Sequence, residues 1–146
     1  MSLALVFPGQ GAQKIGMGRD LAEAYPAAKA VFDEVDDALG EKLSQLIWEG
    51  DQETLTLTEN AQPALMATSM AALRALEAEG VDAKAADYLA GHSLGEYSAL
   101  CAAGSLKVGD AARLLRILGR AMQAAVPVGE GAMAAILGLD FDEVAK

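Results

Sequence analysis

A serine with a glycine two residues away on each side, in Gly91-His92-Ser93-Leu94-Gly95, is the part of this sequence best equipped for chemistry. Residues 86–90 ahead of it suit a short buried strand, and residues 96–103 after it are small and apolar enough to pack as a helix. A serine at such a strand-to-helix turn takes a sharp, strained backbone, and the flanking glycines let neighbouring backbones approach. Its hydroxyl then stands exposed at a helix N-terminus whose unpaired N–H groups can receive a developing oxyanion. Glu96 in the first helical turn suits the helix dipole. The chemistry this arrangement serves is acyl transfer through a serine ester. The competing reading is a βα loop with a helix-capping serine, because Gly-x-Ser-x-Gly alone is a common pattern.

A serine nucleophile needs a general base within hydrogen-bond reach. The sequence holds one histidine, His92, directly before the serine. Adjacent residues at a strand end point to opposite sides, so His92 reads as a packing and positioning residue. The base is then another residue, or a histidine on chain not present here.

The elements that must position Ser93 follow from the hydrophobic pattern. Residues 3–7 read as a buried first strand, stopped by Pro8 and followed by the glycine-rich loop Gly9-Gln10-Gly11-Ala12-Gln13. That loop completes neither a dinucleotide fingerprint nor a P-loop, and its glutamines offer backbone and amide donors to a carbonyl oxygen. Helical periodicity runs over residues 20–25, resumes after Pro26 to about 39 and continues through 43–48, with Gly40 and Gly50 as punctuation. Residues 51–60 read as polar and irregular. Gln62-Pro63 then opens a long helix that ends near Gly80, with Pro63 in its first turn. A further helix spans about 108–126. Residues 131–137 read as a fresh strand, followed by an acidic helix start at 140–146.

The composition, 146 residues with 53% apolar content, is ample for one core. A net charge of −10 disfavours nucleic acid and anionic membranes as partners. No apolar run is long enough to span a membrane, and residues 1–7 are too short and lack the basic flank of a signal peptide. The expected location is the cytoplasm. Cys101, alone of its kind, excludes an internal disulfide and reads as a core residue; with a single histidine it cannot make a cysteine-based zinc site, and no metal is expected. Lys14, Arg19, Arg113, Arg116 and Arg120 are the cations near the elements just described.

Four segments together resemble one family: Val6-Phe7-Pro8-Gly9-Gln10-Gly11-Ala12-Gln13, Gln62-Pro63-Ala64-Leu65, Gly91-His92-Ser93-Leu94-Gly95-Glu96-Tyr97 and Gly119-Arg120-Ala121-Met122-Gln123. The chain resembles the N-terminal half of the malonyl-CoA:acyl carrier protein transacylases, relatives of the acyltransferase domains of fatty acid and polyketide synthases. The resemblance implies an α/β fold. Residues 1–130 would be part of an α/β-hydrolase-like large subdomain, and 131–146 the first strand and onset of a ferredoxin-like small one. It further implies Ser93 as nucleophile, the backbone amides of Gln10 and Leu94 as oxyanion hole, and Gln62 near the substrate. The donor is malonyl-CoA or another acyl-CoA, the acceptor is the phosphopantetheine thiol of acyl carrier protein, and no cofactor is required. The family's catalytic histidine and the asparagine that orients it lie in the later half and map onto no residue here. The family's malonate-binding arginine falls at Leu118, with Met122 on the same helical face. Leu118 then either completes an apolar acyl pocket or packs in the core. A serine esterase or thioesterase, and a non-catalytic fragment that binds acyl carrier protein, are the alternatives.

Overall fold

The computed structural model describes residues 2–126, 129–131 and 136–145. The architecture is mixed α/β, a small parallel sheet against a helical layer. β1 (Ala4–Phe7) pairs in parallel with β2 (Tyr88–Gly91), in the register Ala4↔Tyr88 through Phe7↔Gly91. Between them run α1 (Arg19–Ala24), α2 (Pro26–Leu39), α3 (Leu43–Glu49), α4 (Gln52–Thr56) and α5 (Thr58–Ala78). After β2 come α6 (Gly95–Ala102), α7 (Val108–Ala125) and the short α8 (Phe141–Val144).

The 21-residue α5 is the core helix: Ala61, Ala64, Met66, Ala67, Met70 and Ala71 are fully buried beneath α2, α6 and α7. α2 begins with proline at its first helical position, where the missing N–H costs nothing, and ends at Gly40 in the left-handed region. Its buried residues Ala28, Val31, Phe32 and Val35 follow helical spacing, and the Phe32 ring meets Trp48 of α3 edge-on at 5.0 Å.

Three sequence expectations change. Residues 51–60 are not irregular: Asp51 caps α4 by accepting the Thr54 amide at 2.8 Å, and Asn60 donates to the Thr54 carbonyl at 2.9 Å. These polar residues serve helix ends, which periodicity does not register. α5 therefore starts at Thr58, and Pro63 lies inside it rather than in its first turn. The strands are half-covered rather than buried, for Val6 is 72% and Tyr88 68% exposed while Phe7 faces the core. A two-stranded sheet has one face against the helices and the other open.

Of the strand expected over 131–137, residues 132–135 lie outside the described residues, and Ile136 and Leu137 carry no strand assignment. The acidic helix start at 140–146 corresponds to α8, which buries nothing; Phe141 is 85% exposed.

Cys101 sits buried on α6, where burial first and the nearby Glu34 charge second push its thiol up to about 11. At pH 8 the thiolate population is therefore on the order of 0.1%, against roughly a quarter for an ordinary cysteine. Iodoacetamide is expected to alkylate native Cys101 at least ~100-fold more slowly than the urea-unfolded chain. Equal rates in the two states would refute the burial argument. Because the folded thiol titrates higher than the unfolded one, stability is constant below the unfolded value and falls as pH rises from about 9 to about 11.

Candidate active site

Ser93 has φ +55°, and among the described residues no other non-glycine residue has positive φ. It is exposed, two residues after the end of β2 and directly before the buried Leu94 that leads into α6. The turn is held by backbone interlock at three glycines. A Cβ built on Gly91 would overlap the Gly95 carbonyl group and the Glu96 amide. One on Gly95 would strike the Phe7 carbonyl oxygen and lie 2.9 Å from the Pro8 oxygen. One on Gly9 would run into the His92 ring and come within 2.9 Å of the His92 oxygen. The end of β1 and the loop after it are thus seated directly on the elbow.

His92 donates its amide to the Phe7 oxygen at 3.0 Å, and its ring Nδ1 lies against the Gly9 backbone. Its ring is therefore set against the first loop, although the residue as a whole is exposed. Among the described residues no hydrogen bond joins it to the serine.

The helix N-terminus offers fewer donors than the sequence suggests. Gly95, Glu96 and Tyr97 donate to the carbonyls of His92, Ser93 and Leu94 at 2.9–3.0 Å, in i→i−3 bonds that tighten the first turn. The Leu94 amide has no protein acceptor among the described residues, and neither has that of Gln10. The Gln10 side chain instead reaches α5, its Nε2 3.3 Å from Thr58 Oγ1. Gln13 accepts the Gly11 amide on its side-chain oxygen at 2.8 Å, inside the loop.

The first turns of α5 face α7. Gly119 approaches the backbone of Thr58 and Glu59, with the Thr58 oxygen 2.8 Å from where a Cβ would stand. Buried Gln62 donates to Met122 Sδ at 3.4 Å, while its own Oε1 is left without a partner among the described residues. Two of the sequence-predicted substrate residues are therefore neighbours. Leu118, 36% exposed, stands one turn before Met122, which is 42% exposed.

Most of the cations noted in the sequence are already engaged. Arg19 pairs with Glu23 and Glu49, Arg113 with Asp110, and Arg120 with Glu59 at 3.1 Å. Arg116 is buried, bound to Glu41 and Asn60, with burial and then the Arg120 charge holding its guanidinium below the usual range. Of the five, Lys14 is left without an ion pair among the described residues. The Arg116 network, like Thr58 and the Gly9 seat, escaped sequence reading, because partners 56 to 75 residues apart leave no local pattern.

Left-handed backbone costs a non-glycine residue about 1–2 kcal/mol, partly offset by the extra freedom of glycine in the unfolded chain. Ser93→Gly is therefore expected to leave stability unchanged or raise it by up to about 1 kcal/mol, read as the urea midpoint. A clear loss would mean that the serine side chain holds the turn. No group of three or more metal-binding side chains occurs among the described residues, and no helix there is long and apolar enough to cross a membrane.

Ser93 thus stands at positive φ in a tight strand-to-helix turn between interlocked glycines. The acyl transferase domain family matches residues 4–145, and the chain belongs to that family. Among curated relatives, the malonyl CoA-acyl carrier protein transacylase of Bacillus subtilis is 59% identical over 140 residues, covering 96% of this chain and 43% of that protein. The Escherichia coli K12 enzyme of the same name is 49% identical over 143 residues, covering 98% of this chain and 46% of its own length. The chain thus spans a little under half the length of these relatives. Among solved structures, an acyl-carrier-protein-S-malonyltransferase from Bartonella henselae superposes with a TM-score of 0.92 at 62% identity, over 99% of this chain and 46% of that one. A malonyl-transacylase in complex with its type II PKS acyl-carrier protein gives 0.89 at 46% identity, over 99% and 46%.

Proposed function

We propose that the chain is the nucleophile-bearing half of a malonyl-CoA:acyl carrier protein transacylase of fatty acid biosynthesis, working in the cytoplasm. Residues 1–130 form part of an α/β-hydrolase-like subdomain and 131–146 open a ferredoxin-like one. The exposure of α8 supports that division, since none of its residues is buried. The open face of the sheet and an apolar groove of about 360 Å³ between β1 and α5 mark surface that the remaining half covers.

In the first half-reaction Ser93 Oγ attacks the thioester carbonyl and its proton passes to a general base. The Gln10 and Leu94 amides receive the oxyanion. The carbon–sulfur bond then breaks, coenzyme A leaves as the thiol with that proton, and an acyl-serine ester remains. In the second, the phosphopantetheine thiol of acyl carrier protein attacks the ester, releasing the serine. The base is a histidine outside these residues, because His92 is seated on Gly9. Without that base in the same polypeptide, Ser93 is expected to form its acyl adduct slowly and to turn over poorly.

The observation that carries the reading is Ser93 itself, exposed at φ +55°. Intact mass after incubation with malonyl-CoA or acetyl-CoA tests it. The expected result is a single acyl adduct that maps to Ser93 and is lost in Ser93→Gly. No adduct with either donor would favour a non-catalytic carrier-binding role, and free acid released without a thiol acceptor would favour an esterase.

A further inference from the structure

We propose that Gln13 is a positioning residue that aims the Gln10 amide toward Ser93. The inference rests on the acyl-transfer reading for its functional consequence, but its geometry stands separately. Gln10 lies between two anchors. On one side Gly9 is seated against the ring and carbonyl of His92, which fixes the peptide that carries the Gln10 N–H. On the other side the Gly11 amide donates to the Gln13 side chain at 2.8 Å, and a donor N–H identifies the atom facing it as the amide oxygen. Gly11 has φ +113° with open space around its Cα, so its glycine serves conformation and not fit.

With both flanking peptides held, the residue between them has little freedom to rotate. Gln13 is itself tied down. Its backbone oxygen accepts from Gln52 Nε2 at 3.3 Å, the same nitrogen donates to Thr56 Oγ1 at 3.1 Å, and Gln52 Oε1 takes the Ile15 amide at 3.2 Å. The chain of bonds runs from α4 through Gln52 and Gln13 to Gly11, and ends at a residue whose neighbouring amide has no protein acceptor among the described residues. Nothing in this chain of bonds requires Gln13 to touch substrate.

Two substitutions separate this role from mere packing. Gln13→Met keeps length and bulk without the acceptor, whereas Gln13→Glu keeps an acceptor. Amide hydrogen exchange by NMR is expected to show faster exchange at Gly11 and a shifted Gln10 amide in the methionine variant, with Gly11 still protected in the glutamate variant. In the acyl-adduct assay with malonyl-CoA and acetyl-CoA, Gln13→Met is expected to slow Ser93 acylation about tenfold at saturating donor. That loss is smaller than the ~10²–10³ for deleting an oxyanion donor outright. The half-saturating donor concentration and the melting temperature stay at the parent values. Unchanged Gly11 exchange in Gln13→Met, or a slowdown explained by a lowered melting temperature, overturns the proposal. A parent chain that forms no adduct counts against the acyl-transfer reading, and the Gly11 exchange result then decides the positioning role.

Discussion

Gly91→Ala is expected to keep the elbow from closing, with a loss of more than ~3 kcal/mol in urea unfolding or no cooperative transition at all. The added methyl would occupy the space of the Gly95 carbonyl group and the Glu96 amide, and these are backbone atoms at the start of α6. A flexible side chain could rotate away, but these atoms can move only if α6 shifts off β2. Such a shift would also drag Gly95 from its seat on the Phe7 and Pro8 carbonyls, and with it the contact between the first loop and the elbow. A natural domain holds a margin of only about 5–15 kcal/mol, so a clash of this kind takes a large share of it. Gly104→Ala is the matched control. Gly104 has φ +75° with nothing near its Cα, so alanine there meets left-handed strain alone, about 1–2 kcal/mol. If the two variants unfold at the same urea concentration, close backbone approach is not what Gly91 provides.

The same interlock explains which parts of this site the sequence discloses. Gly-x-Ser-x-Gly between a strand and a helix is a local pattern, and the strained serine, β2 and α6 all appear where that pattern puts them. The helices α2 and α7 are legible for a similar reason, since one periodic apolar face announces each, whereas α5 is buried nearly all round. What escapes is whatever depends on partners distant in sequence. Nothing local in residues 8–13 says that Gly9 must admit a histidine from 83 positions later, or that Gln10 ends on Thr58. The polar stretch 51–60 reads as loop because its side chains cap helix ends instead of facing a core. The strands read as buried because their composition is apolar, whereas burial depends on what covers each face of the sheet. Val6 and Tyr88 show one face open here.

Leu118→Arg is expected to raise malonyl over acetyl transfer to Ser93 by roughly 10-fold to 100-fold, the equivalent of gaining one charge-assisted contact of about 1.5–3 kcal/mol. A malonyl group carries a free carboxylate that an acetyl group lacks, so the ratio of the two adducts isolates the recognition of that charge. Neither neighbouring arginine on α7 is available to supply it. Arg116 is buried with Glu41 and Asn60, and Arg120 is held by Glu59. What the chain presents beside Gln62 is instead an apolar surface of Leu118 and Met122, the latter in contact with the Gln62 amide nitrogen. Such a wall accepts an uncharged acyl group without penalty, and it leaves a carboxylate desolvated and unpaired, at a cost of about 3–5 kcal/mol where water is fully excluded. Because Leu118 remains 36% exposed, water lowers that cost, and the parent chain is expected to discriminate against malonyl at the lower end of the range. Leu118→Met serves as the control that changes shape without charge and is expected to leave the ratio near the parent value. A malonyl-to-acetyl ratio unmoved by the arginine would place Leu118 outside the acyl pocket, and Gln62 and Met122 would then have to be reassigned with it.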